Sequence, residues 1–196
     1  MSRALELLVA RHGETTWNRE KRSQGQRNPG LSELGKEQAR ELGERLAGED
    51  FSDAICSDLR RCRETLELAL GDREVPTLFS KRFRERRFGV CEGLLWREAL
   101  ERYGASLRPA DPSTPIDPAL EIEHPLDEFR PRVLEGLRRV HRKLGRRERA
   151  FLMTHGGVVK LLLAEAEGPG KMFMVGNCSL FRFRFDGEGV ELLERL

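Results

Sequence analysis

The stretch "LELLVARHGETTWN", Leu5 to Asn18, decides the fold. Five of the six residues from Leu5 to Ala10 are apolar, the pattern of a strand buried on both faces. The run then stops abruptly in Arg11-His12-Gly13-Glu14. An arginine and a histidine leaving the end of an inner strand stand where an α/β sheet binds its ligands, because loops and helix N-termini gather there. The competing reading is an accident of composition, since arginine far outnumbers lysine throughout the chain.

Outward from this stretch, strand-like and helix-like segments alternate, the pattern of an α/β domain. "LSELGKEQARELGERLAG" puts Leu34, Gln38, Leu42 and Leu46 on one helical face, with Ser32 as N-cap and Gly48 as a stop. "DAICSD" reads as a short strand, "LRRCRETLELALG" as a helix ending at Gly71, and "EVPTLF" as an edge strand, since Pro76 lacks a ladder donor. Ser106 to Pro125 breaks the rhythm with five of the nine prolines, and is expected to be an ordered surface excursion beside the site. A helix is expected from Leu126 to Leu144, with Leu126, Phe129, Val133, Leu137 and Val140 as its apolar stripe. "RAFLMT" is a strand, about Gly157 to Glu165 a helix, and the tail a hairpin turning at Asp186-Gly187-Glu188-Gly189. No internal repeat or second-domain boundary appears, so residues 1–196 read as one domain with an insertion at about 106–125.

At 196 residues the chain is long enough to bury a sizeable core. A net charge of +2 requires neither nucleic acid nor a membrane as partner. Cys56, Cys62, Cys91 and Cys178 show no zinc-site spacing and read as reduced, buried thiols. The N-terminal apolar run is too short for a signal peptide, and no later run approaches a membrane span. A cytoplasmic protein is the expectation.

Two further segments aim reactive groups at strand ends. "CSDLRRCRET" puts Arg61 in the first turn of a helix, and "LMTHGGVV" puts His155-Gly156-Gly157 between a strand and a helix. Each has a bland counterpart, a turn or a solvated helix face. Two histidines and two arginines at three strand ends are hard to leave to chance.

"RHGETTWN", "QGQRNPGLSELG", "SDLRRCRET", "RERRFGVCEGL" and "THGGVV" together resemble the motif series of the histidine phosphatase superfamily, the phosphoglycerate mutase-like proteins, in that family's order. The resemblance covers about Leu5 to Leu163 and implies a three-layer α/β/α fold with a mostly parallel central sheet. It implies that His12 is a nucleophile forming a phosphohistidine, with Arg11, Arg61 and His155 in the phosphate pocket. Asn18, Gln24, Gly25 and Gly156 correspond to further substrate-binding positions. Glu85 matches the general acid, and Glu92 is assigned a structural role. Arginine suits the pocket through its planar fork and permanent charge. No metal and no cofactor is implied.

Three positions depart from the pattern. Arg87 stands where many members have an aspartate, His124 where a glutamate is common, and Asn28 where an aspartate is frequent. The expected activity is a cofactor-independent phosphatase acting on a small phosphorylated metabolite. A phosphoglycerate mutase and a catalytically silent phosphate-binding module are the alternatives, and a homodimer is one admissible state. Arg82 to Arg87, with Arg19, Lys21, Arg22 and Arg27, could hold a second anionic group or form solvated surface.

Overall fold

In the computed structural model, which describes residues 4–108, 111, 114–144 and 149–196, Leu5–Arg11 forms strand β1. Leu5, Leu7 and Val9 enter one core cluster and Leu8 and Ala10 another, on the opposite face. A strand with a core on each side cannot alternate apolar with polar, which explains its unbroken run. The other strands are β2 (Asp53–Cys56), β3 (Thr77–Phe79), β4 (Arg149–Thr154), β5 (Leu180–Phe185) and β6 (Val190–Arg195). Their order is β3-β2-β4-β1-β5-β6. The first four in that row are parallel, while β5 and β6 make the antiparallel hairpin at one edge.

Among the described residues the α-helices are α1 (Thr16–Arg19), α2 (Glu33–Leu46), α3 (Arg60–Leu70), α4 (Trp96–Leu107), α5 (Arg130–Leu144) and α6 (Gly156–Glu167). Leu42 and Leu46 of α2 and Leu66 of α3 pack on Leu8, Ala10 and Met153. Val133 and Leu137 of α5 and Val158 and Leu162 of α6 pack on Leu5, Leu7 and Val9 across the sheet. The result is the expected three-layer α/β/α arrangement around a mostly parallel sheet. A third cluster, Cys91, Ala99, Leu107 and Ile122, lies under α4. All four cysteines are free and buried.

Two apolar stripes differ from the sequence reading. Leu34 is 49% exposed, and α2 instead buries Gly35, Ala39, Leu42 and Leu46. The cause is close backbone approach. A Cβ on Gly35 would overlap the Glu14 carbonyl, so only glycine lets the first turn of α2 lie against the loop that follows β1. Gln38 faces the same loop, where its Oε1 accepts the Glu14 N–H at 2.9 Å. Leu126 is 45% exposed because Pro125–Phe129 forms a π-type turn, and α5 begins only at Arg130. Helix α6 is longer than expected, from Gly156 to Glu167.

The Pro-rich segment is shorter than read, since Ser106 and Leu107 still belong to α4. Positions 109, 110, 112 and 113 lie outside the described residues. Pro118–Leu120 forms a 3-10 turn, and Ile122 bridges to Phe88. Among the described residues no helix is long and apolar enough to cross a membrane.

Candidate active site

His12 follows the last residue of β1, and its N–H donates to the Thr154 carbonyl at 3.0 Å, continuing the ladder to β4 by one step. Its carbonyl accepts from Asn177 Nδ2 at 3.0 Å. The ring is therefore fixed at the carboxyl end of the central strands. Nδ1–H donates to the Gly13 carbonyl at 2.7 Å, which leaves Nε2 as a bare lone pair. Burial, then the guanidinium groups of Arg61 and Arg11, hold its pKa well below the usual histidine value. The imidazole is neutral at physiological pH, as a nucleophile must be.

Arg61, in the first turn of α3, is 1% exposed and spends every nitrogen on a partner. Nε donates to His12 Nε2 and to His155 Nδ1, both at 3.2 Å. Nη1 donates to the Arg27 carbonyl at 2.7 Å and Nη2 to that of Gly25 at 2.8 Å. Arg60, the preceding residue, instead pairs with Glu64 at the surface. His155, between β4 and α6, meets His12 edge-on with ring centroids 5.2 Å apart. It is fully buried, and its pKa too is pushed well below the ordinary value by burial and Arg61. Arg11 donates through Nη1 to the Val175 carbonyl at 2.6 Å. Gly156 lies against it, with a Cβ there falling 3.3 Å from Arg11 Nε.

Glu85 sits in the irregular segment between β3 and α4. One carboxylate oxygen accepts the Arg86 N–H at 2.8 Å, and the other accepts the Gly157 N–H at 2.9 Å, at the positive end of α6. A Cβ on Gly157 would overlap that carboxylate. The segment itself hangs from Arg132 of α5. Its Nη1 donates to the carbonyls of Arg82 at 2.8 Å and Arg84 at 3.0 Å, and Nη2 reaches that of Glu85 at 3.3 Å. Arg132 also grips both oxygens of Glu123, at 2.6 and 2.8 Å.

Several of the neighbouring arginines are tied into the fold. Arg84 forks onto Asp58 at 2.6 and 2.5 Å, Arg86 donates to the Glu123 and Leu107 carbonyls, and Arg87 to that of Glu121. The departures from the family pattern are also structural. Asn28 Oδ1 accepts the Arg60 N–H, capping α3 from a distance. His124 Nδ1 accepts the Asp127 N–H and caps the turn before α5, while Glu123, one residue earlier, supplies the carboxylate for Arg132.

A cleft of about 450 Å³ is lined by Arg11, His12, Asn18, Gln24, Gly25, Arg61 and Glu85, with Ser23, Phe88 and Trp96 among its other walls. Seven of the site residues read from the sequence thus meet around one hollow. His155 and Gly156 do not line it. His155 stands behind Arg61, and Gly156 faces an adjoining pocket of about 830 Å³ that shares Arg11, Glu85, Phe88 and Trp96. Asn18 also closes a capping box with Thr15. Gly25 has φ of +48°, and the Glu92 carboxylate occupies the place of its missing Cβ. That carboxylate accepts the Gln26 and Phe88 N–H groups at 2.9 and 3.0 Å, the structural role assigned to Glu92. Ser57, Arg132, Glu123 and Asn177 were not singled out from the sequence. Ser57, inside the "SDLRR" motif, carried a local signal, as did Asn177 at the head of "NCSLFRF". Among the described residues no group of three His, Cys, Asp or Glu could hold a metal ion.

The profile of the histidine phosphatase superfamily (branch 1) matches residues 7–195. Phosphoglycerate mutase-like protein 4 of Arabidopsis thaliana is 33% identical over 192 residues, covering 93% of this chain and 81% of its own. A metal-independent phosphoserine phosphatase from the same plant is 32% identical, over 87% of this chain and 74% of its own. Among solved structures, YhfR of Bacillus stearothermophilus superposes with a TM-score of 0.82 at 28% identity, covering 96% of this chain and 95% of that one. The chain belongs to the histidine phosphatase superfamily.

Proposed function

We propose that the protein is a phosphatase that hydrolyses a small phosphomonoester through a phosphohistidine on His12. The carrying observation is the unprotonated Nε2 of His12, held beside a cleft that Arg11, Arg61 and Glu85 also line. Nε2 attacks phosphorus as the ester P–O bond breaks, and the leaving oxygen takes a proton from the Glu85 carboxyl. Water then attacks phosphorus, the P–N bond breaks, and the Glu85 carboxylate takes the water proton. The Gly13 carbonyl stabilises the imidazolium character that develops on His12 during the first step. Arg11 and Arg61 meet the charge on the phosphoryl oxygens, preorganised by bonds to carbonyls and to the histidines. His155 acts through Arg61, and residues 1–196 work as one catalytic domain.

The test is incubation with a panel of phosphomonoesters. Free phosphate should accumulate, a brief quench with labelled substrate should trap acid-labile phosphate on the protein, and His12→Ala should abolish both. Isomerisation of a phosphoglycerate without phosphate release would replace hydrolysis by mutase activity. Binding without any labelled protein would reduce the site to a silent phosphate-binding module.

A further inference from the structure

His155 Nε2 lies 2.8 Å from Ser57 Oγ, on the side of the ring away from Arg61, and both residues are fully buried. The Arg61 contacts show where the protons sit. A guanidinium donates and never accepts, so Arg61 Nε–H requires a lone pair on His155 Nδ1 and another on His12 Nε2. The one proton of the neutral His155 ring is then on Nε2 and is donated to Ser57. Ser57 Oγ is itself placed by the Leu59 N–H at 3.4 Å. Cys62 Sγ also lies 3.4 Å from His155 Nε2, but its thiol, pushed up to about 12 by burial, stays protonated and donates to the Thr154 carbonyl at 3.3 Å.

We propose that Ser57 is a positioning residue for phosphoryl transfer: it holds the His155 proton on Nε2, so that Nδ1 keeps Arg61 in place while His12 carries phosphorus. This rests on the phosphohistidine reading. When the P–N bond forms at His12 Nε2, the lone pair that received Arg61 Nε–H is consumed. His155 Nδ1 is the second acceptor of that same N–H, and it remains. With the ring proton on Nδ1 instead, two N–H groups would face each other across 3.2 Å, and the guanidinium would be driven off the position its carbonyl partners define. The charged or titratable groups facing His155 are Arg61, Cys62, His12, Arg11 and Arg132, none of them a carboxylate that could reverse the preference.

The test reads the tautomer directly. The chain has four histidines, so side-chain nitrogen-15 spectra are simple, and His155→Gln identifies the signals of interest. In the wild-type protein His155 should show a protonated Nε2 and a bare Nδ1. Ser57→Ala should move the proton to Nδ1 in a large fraction of molecules, and Ser57→Thr, which keeps the hydroxyl, should restore the original pattern. In kinetics, Ser57→Ala should lower kcat by about 10- to 100-fold with little change in KM, as expected when a histidine loses its orienting partner. Ser57→Thr should recover most of it. A wild-type ring with the proton on Nδ1, or a Ser57→Ala protein with unchanged spectra and kcat, overturns the proposal. Should Ser57→Ala fail to fold, Ser57→Gly is read in its place with the same expected shift, and a wild-type ring protonated on Nδ1 overturns the proposal by itself. The spectra need no turnover, so a protein with the assigned tautomer but no phosphatase activity defeats the functional reading, and with it the role in phosphoryl transfer, while a wrong tautomer in an active phosphatase defeats this proposal alone.

Discussion

Gly157→Ala should separate stability from catalysis, because its new methyl would land on the Glu85 carboxylate. The atoms in the way are the far end of a half-buried side chain, so the fold yields by swinging Glu85 outward. Two terms then set stability. Alanine is favoured over glycine within a helix by up to about 1 kcal/mol. Against this, a hydrogen bond to a charged group is worth about 1.5–3 kcal/mol, and water replaces part of the one lost from the Gly157 N–H. The net change is expected within about 1 kcal/mol of zero. Catalysis loses its proton donor, and a positioned acid is worth about 10²- to 10⁴-fold. The assay is kcat/KM on an aryl phosphate and an alkyl phosphate, alongside urea unfolding. The alkyl ester, with the poorer leaving group, should suffer the larger loss, and Glu85→Gln should reproduce the pattern. Adding Glu85→Gln to Gly157→Ala should cost little more, because both remove one function. Equal losses on the two esters, or full activity in Gly157→Ala, would refute the assignment of Glu85 as proton donor held by α6.

Arg132→Met should strand the Glu123 carboxylate and three carbonyls of the segment that carries Glu85, costing about 3 kcal/mol, the lower end for a broken buried pair. Arg132→Lys should recover little, since an ammonium cannot fork onto a carboxylate and reach the carbonyls together; a thermal melt unchanged in either variant would remove Arg132 from this role. Acid should destabilise the fold through His12 and His155. Both have folded pKa values well below the unfolded one, so below about pH 6.5 the unfolded chain binds protons that the folded chain refuses. Each ring therefore removes up to about 1.4 kcal/mol of stability per pH unit as pH falls through that window. Urea midpoints at pH 7, 6 and 5 should decline, and a flat or rising series would mean that these rings are not buried neutral.

The fold was legible wherever burial imposes a period. The apolar run of Leu5–Ala10 could only be an inner strand, and the alternation of Leu180–Phe185 ended in a turn that made the hairpin. Where the reading slipped, backbone contact outranked side-chain pattern. Leu34 looked like the first member of an apolar stripe, yet the stripe runs through Gly35 because absence of a side chain is what brings α2 onto the β1 loop. A hydrophobicity pattern cannot register an atom that is missing. Leu126 slipped for a related reason, since a π-type turn after Pro125 shifts the face that follows.

The site divides along another line. Residues whose chemistry is unusual for their position, such as a histidine and arginine beyond an inner strand, announced themselves. Those that act by holding others did not, because a serine or an arginine on a helix has many ordinary uses. Arg132 becomes specific only when Arg82, Arg84, Glu85 and Glu123 are seen converging on it from segments far apart in the chain. Ser57 becomes specific only through Arg61. The sequence singled out His12 but could not say which of its ring nitrogens carries the proton. That follows from a group with no lone pair to offer: the guanidinium of Arg61, held by the carbonyls of Gly25 and Arg27, makes acceptors of both rings it touches. The proton positions of two histidines are thus read from an arginine on α3, and in the proposed mechanism the backbone loop that fixes that arginine matters as much as the rings do.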